Sequence, residues 1–147
     1  MTLSLRPFLP FLAAIAMLAG VLHGADAADL VVIVSARSTA PMLRAGQVAA
    51  IFLGQAAQFP DGAAVAAIDQ PVGCATREAF YVRVASKTPA LLRAYWSRML
   101  FTGHGQPPRE VDGDAAVRKL VADTPGLIGY IERTALDASV RPVLVLH

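Results

Sequence analysis

The sequence predicts an α/β domain with a mostly parallel sheet flanked by helices. Short aliphatic runs at Leu30–Val34, Ala64–Ile68 and Leu127–Ile131 alternate with longer stretches whose apolar residues recur at helical spacing. Leu30–Val34 is also apolar at every position, as in a strand covered on both faces, which is the usual state in a parallel sheet. The chain has 147 residues, a length that suits one domain.

The first segment reads as a leader. Arg6 gives a small basic region, Phe8–Leu22 is nearly continuous apolar sequence, and Ala25-Asp26-Ala27 has the small residues of a cleavage site. Residues 1–27 are therefore expected to be a cleaved signal peptide and residues 28–147 the folded domain, placed in the periplasm. The apolar run is short for a membrane span, which needs roughly 17–25 residues. The net charge of +2 is spread along the chain without a basic run, so no nucleic-acid surface is expected. Cys74 is the only cysteine, which rules out an intramolecular disulfide and a Cys-rich metal site.

The elements follow in order. After strand Leu30–Val34, the segment Ser35–Pro41 is a polar loop. Val48, Ile51 and Phe52 mark a helix, and Gly54 sits where its C-terminus takes a left-handed residue. Phe59-Pro60-Asp61-Gly62 is a turn before strand Ala64–Ile68. Beyond the loop Asp69–Gly73, a helix beginning near Thr76 carries Phe80, Tyr81 and Val84 on its apolar side. Thr88 caps the next helix and Pro89 suits its first position. Leu91, Leu92, Tyr95, Trp96, Met99 and Leu100 form its apolar stripe, read as core. Thr102–Arg109 is a loop, and a helix opened by Asp112–Asp114 bears Val117, Leu120 and Val121. Strand Leu127–Ile131 follows the turn Thr124-Pro125-Gly126, and Pro142–Leu146 is a possible fourth strand.

Three segments carry a family resemblance: Ile51-Phe52-Leu53-Gly54, Gly73-Cys74-Ala75-Thr76-Arg77-Glu78-Ala79-Phe80, and Thr124-Pro125-Gly126-Leu127-Ile128-Gly129-Tyr130-Ile131. In order and spacing they resemble the phosphate-type branch of the type II periplasmic substrate-binding proteins, and Tyr95-Trp96 falls where such a pair often appears. Members of that family have two lobes closing on an oxyanion. The resemblance covers only the second lobe, so it implies a short, single-lobe form. It also implies a link to phosphate ABC transport.

The candidate ligand site is the loop before the second helix. A helix start presents unpaired N–H groups at the positive end of its dipole and favours anions. The family pattern Arg-x-Asp-x-Ser-Gly-Thr falls on Gln70, Val72, Cys74, Ala75 and Thr76, and only the threonine is kept. Gln70, Gly73, Cys74, Ala75, Thr76 and Arg77 are the expected ligand-binding set, with weakened side-chain chemistry. As a surface helix residue, Arg77 is expected to be solvated unless it reaches the ligand. His104, Arg109 and the pair Asp69/Glu78 match no site spacing. With no nucleophile-elbow, zinc or phosphate-loop motif present, no catalysis, cofactor or metal is expected.

Two functions follow as expectations. One is a non-catalytic periplasmic binding protein taking inorganic phosphate or a similar oxyanion. The other is a ligand-free interaction module that pairs with itself, as a homo-oligomer, or with a membrane sensor or transport component. An apolar surface around Val72 and Phe101 would favour the second, a concave polar cleft the first.

Overall fold

The computed structural model describes residues 27–147, so the expected leader lies outside the described residues except for Ala27. The elements are β1 (Leu30–Ser35), α1 (Ala45–Phe52), β2 (Ala66–Asp69), α2 (Ala75–Ala85), α3 (Pro89–Phe101), β3 (Arg109–Glu110), α4 (Asp114–Asp123), β4 (Leu127–Glu132) and β5 (Val140–Leu146). A single 3-10 turn, Arg133–Ala135, lies between β4 and β5. No described helix is long and apolar enough to cross a membrane.

The five strands form one sheet in the order β3-β2-β4-β1-β5. β2 runs parallel to β3 and β4, whereas β1 runs antiparallel to both β4 and β5. The α/β architecture with flanking helices is as expected, but the sheet is mixed. The apolar run of β1 reflects cover on both faces, and cover does not fix strand direction. Direction is set by the connections, and β1 lies between two strands that run the other way.

The strand period of two sorts β1 between two cores. Leu30, Val32 and Val34 join α1, α2 and α3 through Val48, Phe52, Phe80, Leu92 and Trp96. Val31 and Ile33 point to the opposite face, against Val117 and Val121 of α4. On that face Gly129 of β4 leaves room for α4, because a Cβ there would lie 2.8 Å from Val117 Cγ1 and 3.2 Å from Val121 Cγ2.

The helix ends follow the sequence chemistry. Thr88 Oγ1 accepts from Leu91 N at 3.3 Å, with Pro89 in the first turn. Gly54 takes φ 72° after α1. The α3 stripe is narrower than expected: Leu92 and Trp96 are buried, but Leu91 and Leu100 are exposed. Helix α3 lies at the margin of the core and packs through one line of side chains, so residues beside that line face solvent.

Edge strand β5 is covered by the chain that follows β1. Leu43 N donates to Val143 O at 2.9 Å. Arg141 Nη2 donates to Ser38 O at 3.0 Å and Ala40 O at 2.6 Å. Pro142 pairs with Ile33 of β1, beside the register shift between Val32 and Ile33.

Candidate functional site

Strand β2 ends in Asp69, whose carboxylate is buried between β4 and α2. Oδ2 accepts from Tyr81 Oη at 2.8 Å and Arg77 Nε at 3.1 Å. Oδ1 accepts from Tyr130 Oη at 2.5 Å and Gln70 N at 2.8 Å. Four donors thus meet the four lone-pair directions of one carboxylate, which is what lets a charge sit in the core. Burial pushes the Tyr81 and Tyr130 hydroxyls well above the ordinary phenol range, and the charge and hydrogen bonds of Asp69 add to the effect. For Arg77, burial works against the charge, but Asp69 outweighs it and the pKa ends above its usual value. Phe80 stacks on Tyr130 with ring centroids 3.8 Å apart, closing the apolar side of the network.

Gln70 turns into the protein. Its Nε2 donates to Asp114 Oδ1 at 2.7 Å and to Tyr130 O at 3.2 Å, and its Oε1 accepts from Cys74 Sγ at 3.5 Å. Asp114 in turn accepts from Glu132 N at 3.1 Å. Gln70 therefore ties β2, β4 and the start of α4 together, and its amide is occupied from within.

The start of α2 is left open. Gly73 takes φ 87°, and Cys74 occupies the capping position without a side-chain cap. Cys74 N donates to Pro71 O and Glu78 N to Cys74 O. Among the described residues, the N–H groups of Ala75, Thr76 and Arg77 have no backbone or side-chain acceptor. A serine here would normally satisfy one of them; the thiol of Cys74 points to Gln70 instead.

Of the expected set, Gly73, Cys74, Ala75 and Thr76 form this open helix start, while the side chains of Gln70 and Arg77 leave it for the buried network. Arg77 is 8% exposed rather than solvated. Asp69 and Glu78 do not pair: one is buried and the other faces solvent. His104 and Arg109 are exposed. No cluster of three or more His, Cys, Asp or Glu residues among those described could hold a metal ion.

Beside the helix start, α2 and α3 enclose a cleft of about 390 Å³. Tyr81, Leu92, Trp96 and Leu100 supply its apolar wall, and Arg77, Glu78, Lys87, Arg93 and Glu110 supply charge. At its margin Val72 is 69% exposed, and Phe101 at the end of α3 is 94% exposed.

No family model and no curated protein matches the chain. Solved structures do. An ABC-type phosphate transport receptor from Vibrio cholerae superposes with a TM-score of 0.61 at 17% identity, over 78% of this chain and 46% of that one. PstS from Borrelia burgdorferi gives 0.56 at 16% identity, over 78% and 47%. A proposed phosphate ABC transporter substrate-binding protein from Clostridium perfringens, solved with bound phosphate, gives 0.60 at 23% identity, over 78% and 44%. The chain shares its fold with phosphate-transport receptors. It spans less than half the length of each of these three.

Sequence reasoning placed the helix start but missed the residues that organise it. Asp69, Tyr81, Tyr130 and Asp114 read singly as a loop residue, a helix face, a strand and a dipole-friendly acid. The available signal was an aspartate directly after the apolar run ending at Ile68, since a charge continuing a buried strand needs buried donors.

Proposed function

We propose that this protein is a non-catalytic periplasmic binding component of the phosphate-receptor type, delivered by a cleaved leader at residues 1–27 and taking a small oxyanion such as inorganic phosphate at the start of α2. The observation that carries the reading is the uncapped helix start, where the N–H groups of Ala75, Thr76 and Arg77 have no acceptor among the described residues. Unpaired N–H groups at the positive end of a helix are a ready anion site. The likeness in fold to receptors of phosphate transport supports the same reading. Binding is weak in this reading, because Gln70 and Val72 stand where the family pattern has Arg and Asp, and Gln70 is engaged inside the protein.

Titration calorimetry with phosphate and sulfate tests the proposal, with Ala75→Pro as the decisive variant. Ala75 is the first residue of α2, where proline is tolerated, and the substitution deletes one free N–H without breaking the helix. A hydrogen bond to a charged group contributes about 1.5–3 kcal/mol, so affinity should fall about tenfold or more. Unchanged affinity in Ala75→Pro would remove the helix start as the site.

A second reading has its own observation. Val72, which lines the cleft, and Phe101, next in sequence to the lining residue Leu100, are exposed apolar side chains. They favour a module that docks on a transport or sensor component or on a second copy. Sedimentation of Phe101→Ser against the parent protein would separate self-association from a monomer.

A further inference from the structure

The cleft between α2 and α3 contains two features that the oxyanion reading leaves unused. Arg77 uses only Nε on Asp69, and among the described residues nothing accepts from its Nη1 or Nη2, although the side chain is 9% exposed and forms part of the cleft wall. Trp96, also in the wall and 5% exposed, has a buried Nε1 with no acceptor among the described residues. The benzo edge of the indole is the side packed toward Gly54, where a Cβ would lie 3.5 Å from Trp96 Cη2. Leaving a buried donor unpaired costs about 1–3 kcal/mol, and such donors are rare in native proteins.

The rest of the cleft defines what would satisfy the Nη groups of Arg77. Its volume of about 390 Å³ suits a small organic molecule. Leu92, Leu100 and Tyr81 offer apolar contact to a body, whereas inorganic phosphate would gain nothing from them. Three cationic side chains, Arg77, Lys87 and Arg93, line the cleft against two glutamates, Glu78 and Glu110. The planar guanidinium of Arg77 meets Asp69 through Nε alone, and its two remaining nitrogens match a carboxylate.

We propose that the α2–α3 cleft is a binding site for a small organic carboxylate with an apolar body, its head on the Nη groups of Arg77 and its body along Leu92, Trp96 and Leu100. This site adjoins the open start of α2 through Gly73, but it uses the Arg77 side chain and the α3 wall rather than the free N–H groups, and does not depend on that start binding phosphate.

Trp96 is the only tryptophan of the chain, so its emission and its single indole N–H resonance read the cleft directly. Octanoate is the probe, with acetate supplying the head alone and octanol the body alone. Octanoate should shift the indole N–H resonance saturably, at least tenfold more tightly than acetate or octanol. Ser97→Phe fills the cleft from an exposed position and leaves the Arg77–Asp69 pair intact, so it should weaken octanoate at least tenfold without unfolding the protein. Arg77→Lys should weaken octanoate more than octanol. No saturation with octanoate, octanol binding as tightly as octanoate, or octanoate affinity unchanged in Ser97→Phe would each overturn the proposal. Phosphate titrated into the same samples, with Ala75→Pro as its control, reports the helix start independently.

Discussion

Replacing Asp69 with asparagine would keep the shape of the side chain and remove the charge that holds Arg77 in place. Breaking a buried pair from one side costs about 3–5 kcal/mol, and the lower end applies here because the Arg77 Nη groups line an open cleft. Urea unfolding of Asp69→Asn should therefore show a loss of about 3 kcal/mol, whereas Asp123→Ala, which breaks the exposed Lys119 pair, should stay within about 0.5. The two tyrosines on Asp69 give the network a pH signature. Both have folded pKa values raised above 10.0, so the folded state keeps its phenol protons after the unfolded chain has lost them. Their contribution is complete below pH 10 and declines above it, by about 1.4 kcal/mol per pH unit for each tyrosine. Tyr81→Phe should cut that alkaline slope by about one tyrosine's share, in denaturant melts between pH 9 and pH 11. Little of this was legible in the sequence. The helix start was placed to within one residue, near Thr76 against Ala75, because the apolar face of Phe80, Tyr81 and Val84 is a local pattern. The Asp69 cluster was not, because Asp69 and Tyr130 lie 61 positions apart and meet only once the parallel pairing of β2 and β4 is formed.

The elements themselves were easier to read, and the reasons differ from one to the next. α3 announces its start through Thr88 and Pro89, and the hydroxyl does cap Leu91 N. Thr88→Ala should lower stability by about 0.5–2 kcal/mol, as capping losses do, measured by thermal melting. β1 and β4 were found from apolar runs, but their antiparallel pairing was not, since side-chain pattern reports cover and carries no direction. The two-residue β3 was missed: Arg109 closes a stretch read as loop from its glycines and Pro-Pro pair, and Arg109 and Glu110 are both exposed, so no burial pattern marks the strand. Gly129 was read only as part of a family segment, yet its missing Cβ sets how closely α4 approaches β4. Gly129→Ala would drive a methyl against Val117 and Val121, and overpacking of this kind costs about 1–3 kcal/mol. Trimming the obstacle should recover part of the loss: Gly129→Ala with Val117→Ala should be less destabilised than the sum of the single variants, a coupling that a double-mutant cycle in urea would reveal.

On the scale of the whole molecule, the sheet joins two cores that have almost no side chains in common. Strands β1 and β4 contribute alternate residues to each: Leu30, Val32, Ile128 and Tyr130 to the side of α1 to α3, and Val31, Ile33 and Ile131 to the side of α4. Neither layer can lose its packing without uncovering one face of the same two strands. The chain spans less than half the length of the phosphate-transport receptors that share its fold, but the described residues already cover both faces of the sheet and shield its β5 edge from within the chain. Unfolding should therefore be one cooperative event. Calorimetry should give equal calorimetric and van't Hoff enthalpies, near the roughly 0.7 kcal/mol per residue of globular domains at 60 °C. Val121→Ala, which opens space only on the α4 side, should lower the hydrogen-exchange protection of α1 amides on the opposite side by the same free energy as its global loss. Two separated transitions, or protection of α1 unaffected by Val121→Ala, would mean that the α4 layer can leave while the other core persists.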